Sequence, residues 1–128
     1  MSDKKLILVI DDDPDIVTFL TTLLNDNGYE ADAASDGVEG LEKVRTRRPD
    51  LILLDITMPE KSGVRLYRDV KEDDELKAIP VVIVTGVMKE FKQFIHTRRQ
   101  VPPPEGFIQK PVVKQELLDT VGKLLAGS

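Results

Sequence analysis

The chain has 128 residues, the size of one ordinary domain, and at that length roughly two-thirds of the unfolded chain's surface can be buried without a staple. It has no cysteine, which excludes disulfides and thiolate metal sites and fits a reducing cytoplasm. A net charge of −5 argues against non-specific nucleic-acid binding, and the apolar run Leu6–Ile10 is too short for a signal-peptide core or a membrane span.

In chain order, Leu6–Ile10 is an unbroken apolar run, the pattern of a strand buried on both faces. Pro14 suits the first turn of a helix, along which Ile16, Val17, Leu20, Leu23 and Leu24 recur at helical spacing before Asn27-Gly28 ends it. Tyr29–Ala34 has a less regular strand pattern. Ser35 or Asp36 can cap a helix carrying Val38, Leu41 and Val44, which stops before Pro49. Leu51–Leu54 is a second buried strand and ends at Asp55. After a loop over Ile56–Lys61, Ser62 can cap a helix with Val64, Leu66, Tyr67 and Val70, and the charged residues from Lys71 to Lys77 read as its solvated end. Pro80–Val84 is a third strongly apolar strand, closed by Thr85-Gly86. Val87, Met88, Phe91, Phe94 and Ile95 predict the core stripe of a fourth helix, with His96 on its surface. Pro102-Pro103-Pro104 forbids helix and reads as a stiff extended connector. Phe107-Ile108 marks a short last strand, and Val113, Leu117, Val121 and Leu124 form the stripe of a last helix.

Strands alternating with helices, five of each, imply a parallel sheet covered on both faces. Ligands of such sheets bind beyond the carboxyl ends of the strands. The polar residues at those ends are Asp11-Asp12-Asp13, Asp55, Thr85 and Lys110-Pro111. Clustered carboxylates repel, so a shared pocket of Asp11, Asp12 and Asp55 calls for a proton or a cation. An all-oxygen set without His or Cys suits a hard ion such as Mg²⁺. Lys110 adds a mobile positive charge and Thr85 a hydroxyl donor, so the set is equipped for phosphoryl transfer to an aspartate.

These residues resemble the receiver domain of two-component response regulators. The matching pieces are Leu8-Val9-Ile10-Asp11-Asp12-Asp13-Pro14, Asp55-Ile56-Thr57-Met58-Pro59 with Gly63, Val84-Thr85-Gly86 and Lys110-Pro111. The resemblance implies a flavodoxin-like doubly wound (βα)5 sandwich, a five-stranded parallel sheet in the order 2-1-3-4-5. It implies one receiver domain over residues 1–128, with a core from about 5 to 125. It further implies that Asp55 accepts a phosphoryl group from a phosphohistidine. Asp12, Asp55 and the Thr57 carbonyl would bind Mg²⁺ directly, and Asp11 through water. Thr85 and Lys110 would engage the phosphoryl oxygens, and Lys110-Pro111 would be cis.

The resemblance also implies that Thr85 and Phe107 form the switch, with output through the face of the fourth predicted helix, last strand and last helix. Lys89, Lys92, Arg98 and Arg99 give that face a basic character, although they also read as a solvated helix end favoured by the dipole. Phe107 stands where many relatives carry tyrosine, which excludes signalling through a tyrosine hydroxyl. The interval from Thr85 to Lys110 is a few residues longer than the family pattern and contains Pro102–Gly106, either a rigid filler or a docking segment. Thr57 and Val87 are neither acid, amide nor base, which implies unassisted hydrolysis and a long-lived phosphorylated state.

The partners implied are a sensor histidine kinase or phosphotransfer protein, an unidentified downstream protein target and a phosphorylation-dependent dimer. Direct DNA binding and membrane association are not expected. Such a protein is a cytoplasmic phosphoacceptor that catalyses only its own phosphorylation and dephosphorylation. With only Ala126-Gly127-Ser128 after the last helix, it reads as a stand-alone regulator or a receiver cut from a longer one.

Two rival readings share the pocket. Asp11 and Asp13 resemble the alternate-aspartate motif of haloacid-dehalogenase-like phosphohydrolases, but Asp15 stands where Thr or Val is wanted. A scaffold that keeps the fold without the chemistry is the other. An EF-hand is excluded by Ile16 and Thr22, and no nucleotide phosphate loop is present. Asp13 reads as a helix cap rather than a ligand.

Overall fold

A computed structural model describes residues 4–58, 62–86 and 102–126. In chain order these form β1 (Leu6–Ile10), α1 (Pro14–Asp26), β2 (Glu30–Ala34), α2 (Gly37–Arg47), β3 (Leu51–Leu54), α3 (Ser62–Glu72), β4 (Val81–Thr85), β5 (Gly106–Gln109) and α4 (Lys114–Ala126). All strand pairs are parallel, in the order β2-β1-β3-β4-β5. The predicted helix over Val87–Ile95, together with Pro59, Lys89, Lys92, His96, Arg98 and Arg99, lies outside the described residues.

Each central strand sends alternate side chains to opposite faces, as the two-residue strand period requires. Leu8, Ile10, Ile52, Leu54, Val81 and Ile83 pack under α2 and α3 with Val44, Leu66, Tyr67 and Val70. Ile7, Val9, Leu51, Leu53, Val82, Val84 and Ile108 pack under α1 and α4 with Leu20, Leu24, Leu117 and Val121. Every one of these is buried, which is why the strands read as unbroken apolar runs rather than as alternating ones. Each such side chain contributes about 1.5–3 kcal/mol of transfer free energy.

Three expectations about burial are corrected. Val38 is 79% exposed, because α2 approaches its neighbours through Gly37 and Gly40 instead. A Cβ on Gly37 would lie 2.3 Å from the Ser62 carbonyl oxygen, and one on Gly40 would lie 2.8 Å from Ile10 Cδ1. Val113 is 58% exposed, since α4 begins only at Lys114 and its buried positions are Leu117 and Val121. Lys71 is not solvated but 4% exposed, its ammonium held by both oxygens of Glu105 and by the carbonyls of Lys77 and Ile79.

Helix ends follow from local side-chain chemistry. Asp13 Oδ1 accepts from the Asp15 amide, which makes Asp13 the cap of α1 with Pro14 behind it. Asp36 caps α2 by accepting from the Glu39 amide, and Glu39 returns a carboxylate to the Ser35 amide. After α1, Gly28 takes φ +90°, a conformation that favours glycine. The extended segment before β5 is tied to α3, because the Tyr67 hydroxyl donates to the Pro102 carbonyl.

Candidate functional site

The parallel register decides which loops meet. Ile10 pairs with Leu54, and the next amide, that of Asp55, donates to the Ile10 carbonyl at 3.0 Å. Asp11 and Asp55 therefore leave β1 and β3 side by side. Thr85 is the last residue of β4, next to β3, and its carbonyl accepts from the Lys110 amide at 2.8 Å. Four residues far apart in sequence thus arrive at one end of the sheet. Asp11 and Asp55 are each 3% exposed and Thr85 is 0% exposed.

Both acids use their two oxygens differently. Asp11 Oδ1 accepts from the Asp13 amide at 2.9 Å, and Asp55 Oδ1 accepts from the Thr57 amide at 2.8 Å. These are Asx turns, in which the carboxylate folds the following loop back on itself. The second oxygens face one another's cation. Lys110 Nζ donates to Asp11 Oδ2 at 2.9 Å and lies 3.6 Å from Asp55 Oδ2. The peptide bond between Lys110 and Pro111 is cis, as expected. Gly63 lets α3 pass close behind the loop after β3, since a Cβ there would sit 2.2 Å from the Asp55 carbonyl oxygen.

Burial pushes the Asp11 carboxyl above its ordinary value, and the Asp55 charge adds to this against the opposing Asp13 amide and Lys110. Burial alone would lower Lys110, but its bond to Asp11 and the charges of Asp55 and Asp11 outweigh that and raise it. Ligand oxygens of Asp11, Asp12 and Asp55 lie within 4.8 Å of one another, with Asp12 exposed. Three clustered carboxylates and one ammonium, which reaches Asp11 and Asp55, leave an excess of negative charge in an all-oxygen pocket. That donor set fits a hard divalent cation, with an open side at Asp12 for its waters. A groove of about 400 Å³ opens there, lined by Asp11, Asp12, Thr18, Ser35 and Glu39 among others.

Of the residues singled out from sequence, Asp11, Asp12, Asp55, Thr85 and Lys110 are brought to this end of the sheet. Phe107 lies on β5, partly buried against the α2–α3 face of the core. One contact was not foreseen: the Thr57 hydroxyl donates to Asp55 Oδ1 at 2.6 Å. The signal for it is a hydroxyl residue two places after an aspartate, a common local turn pattern. Asp13, committed to capping α1, is not part of the carboxylate cluster.

The sequence model of the response regulator receiver domain matches residues 7–122. The chain is 35% identical over 121 residues to protein PilH of Pseudomonas aeruginosa, covering 94% of this chain and 98% of that one. It is 34% identical over 125 residues to the polar-differentiation response regulator DivK of Brucella anthropi, covering 97% and 98% respectively. Among solved structures, the chemotaxis protein CheY4 of Vibrio cholerae superposes with a TM-score of 0.80 at 29% identity, covering 94% of this chain and 98% of that one.

Proposed function

The chain belongs to the response regulator receiver-domain family of two-component signalling, and from that premise we propose that it is a phosphoryl-accepting switch with Asp55 as the acceptor. The observation that carries the proposal is the pairing of Asp55 with Asp11, Asp12 and Lys110 in one pocket at the end of β3. Asp55 Oδ2 faces Lys110 beyond hydrogen-bond length, while Oδ1 is engaged by Thr57. A carboxylate oxygen of Asp55 forms the new O–P bond as the P–N bond of a donor phosphohistidine breaks, and the bonding pair leaves with the imidazole. Transfer of this kind needs positioning and charge neutralisation more than covalent help. Lys110, held protonated beside two carboxylates, is placed to follow the incoming negative charge. Asp12, Asp55, the Thr57 carbonyl and, through water, Asp11 are the residues that would hold Mg²⁺, which supplies charge neutralisation for the transferring phosphoryl oxygens.

The added charge, about −1.5 to −2 at pH 7, draws Thr85 toward the phosphoryl oxygens, and the change passes to Phe107 on the neighbouring strand. Output then runs through β5 and α4, and the expected basic contribution of Lys89, Lys92, Arg98 and Arg99 lies outside the described residues. The donor is a sensor histidine kinase or phosphotransfer protein, and the receiver of the signal is a downstream protein or a second copy of the chain. Direct DNA contact is not part of this reading. No helix among the described residues is long and apolar enough to cross a membrane, which is compatible with a cytoplasmic setting.

The test is incubation with a small phosphodonor and Mg²⁺, followed by intact mass. Wild type gains one phosphoryl group in a Mg²⁺-dependent way and Asp55→Asn gains none. Equal labelling of the two proteins would sink the assignment, and many turnovers of a phosphate ester would favour a phosphohydrolase instead.

A further inference from the structure

Asp55 Oδ1 accepts two hydrogen bonds, both from Thr57: the amide at 2.8 Å and the hydroxyl at 2.6 Å. A carboxylate oxygen offers about two in-plane acceptor positions, so Oδ1 is filled. Oδ2 has Lys110 Nζ at 3.6 Å, outside hydrogen-bond range, and is the open oxygen. Resting on the acceptor reading above, Asp55 needs both oxygens at once, one to face the cation and one to attack phosphorus. One of the two bonds on Oδ1 has to yield. The amide is fixed by the turn, and the loop behind it is pinned by the close approach of Gly63 to the Asp55 carbonyl. The hydroxyl needs only a rotation about the Thr57 side chain, which is partly exposed.

We propose that the Thr57 hydroxyl is a gate on the phosphoacceptor: it closes on Oδ1 in the resting protein and swings away when that oxygen is taken up. The bond is charge-assisted while Asp55 is a carboxylate and weakens once Oδ1 is the neutral carbonyl oxygen of an acyl phosphate, whose negative charge lies on the phosphoryl oxygens. It therefore stabilises the unphosphorylated state selectively and slows acceptance. Thr57 is a positioning residue, acting on the chemistry through Asp55.

The experiment compares wild type, Thr57→Val, which keeps the branched shape without the hydroxyl, and Thr57→Ser, which keeps the hydroxyl. Mg²⁺ affinity is measured by calorimetry without phosphodonor. Initial phosphorylation rates are then measured by intact mass at saturating Mg²⁺, before hydrolysis contributes. Thr57→Val is expected to gain about five- to tenfold, the equivalent of one ordinary net hydrogen bond, with Thr57→Ser close to wild type. A tighter Mg²⁺ site would place the release at metal binding; an unchanged site with faster transfer would place it at attack. No gain in either quantity, or a loss that Thr57→Ser restores, overturns the gate. If wild type takes up no phosphoryl group at all, the acceptor reading fails, and the Mg²⁺ affinities alone then decide whether the hydroxyl guards Oδ1.

Discussion

Strand β5 is bracketed by two lysine–carboxylate pairs with the same 2.9 Å contact, Lys71–Glu105 before it and Lys110–Asp11 after it. At the first, the buried ammonium meets both oxygens of Glu105 and two backbone carbonyls, and Glu105 also accepts from the Val81 amide. All three ammonium donors have acceptors, and the charges cancel one to one. At the second, one ammonium faces Asp11, Asp55 and the nearby Asp12. The first end is a closed structural lock between α3, β4 and the proline segment. The second end is left with charge to neutralise, and that imbalance is what supports the proposed phosphoacceptor role.

The comparison breaks most visibly at the lock. Lys71→Ala removes the side-chain cation that pairs with Glu105 and leaves its carboxylate with the Val81 amide. A loss of about 3 kcal/mol, on the order of 10 °C in Tm, is expected in thermal or urea unfolding, with phosphoryl uptake retained below the transition. A change under 0.5 kcal/mol would mean that the lock is ornamental.

Mg²⁺ sharpens the contrast from the other side. At a hundred times its dissociation constant, a ligand specific for the folded state stabilises by about 2.7 kcal/mol. That increment should appear in wild type and in Lys71→Ala alike, and shrink in Asp55→Asn. Equal increments in all three would remove the metal from this pocket. Without Mg²⁺, Asp55→Asn should itself be the more stable protein, by about 1 kcal/mol, because it relieves repulsion with Asp11. A less stable variant would show that the pocket is already balanced.

The smallest effect belongs to a third charge group, at the edge strand. Burial alone would raise the Asp32 carboxyl, but the Ala33 amide, Arg47 and Lys43 outweigh it and hold it below its ordinary 3.8. A depressed carboxyl contributes stability that is present above pH 3.8 and is lost as pH falls through the lower folded value. Asp32→Asn should therefore trail wild type by under about 1 kcal/mol at neutral pH, and the gap should close on acidification below 3.8. A gap that widens in acid would reverse the sign.

The strand-end cluster was legible in sequence because each acid follows a doubly buried apolar run, and parallel pairing then leaves little choice about which ends meet. Lys71 was not legible: it stands in a charged run, and its partner Glu105 lies 34 residues away. Val38 misled in the opposite sense, since close helix packing buried Gly40 and left the valine outside. The two-residue spacing of Asp55 and Thr57 permits the hydroxyl bond, but the side-chain rotation that makes it is not set by the sequence. The basic residues expected on the output face fall outside the described residues.

The split duties of the acid oxygens bear on how substitutions here should be read. Asparagine preserves a carbonyl oxygen at the same reach, so Asp55→Asn can retain the turn to the Thr57 amide while replacing the oxygen that meets Lys110. Alanine erases both, and its phenotype would mix a misshapen loop with missing chemistry. Glutamate, one methylene longer, carries the right charge on the wrong arm and forfeits the two-residue reach. Position 55 is thus constrained by arm length as well as by charge, and a glutamate there is a poor stand-in for the aspartate.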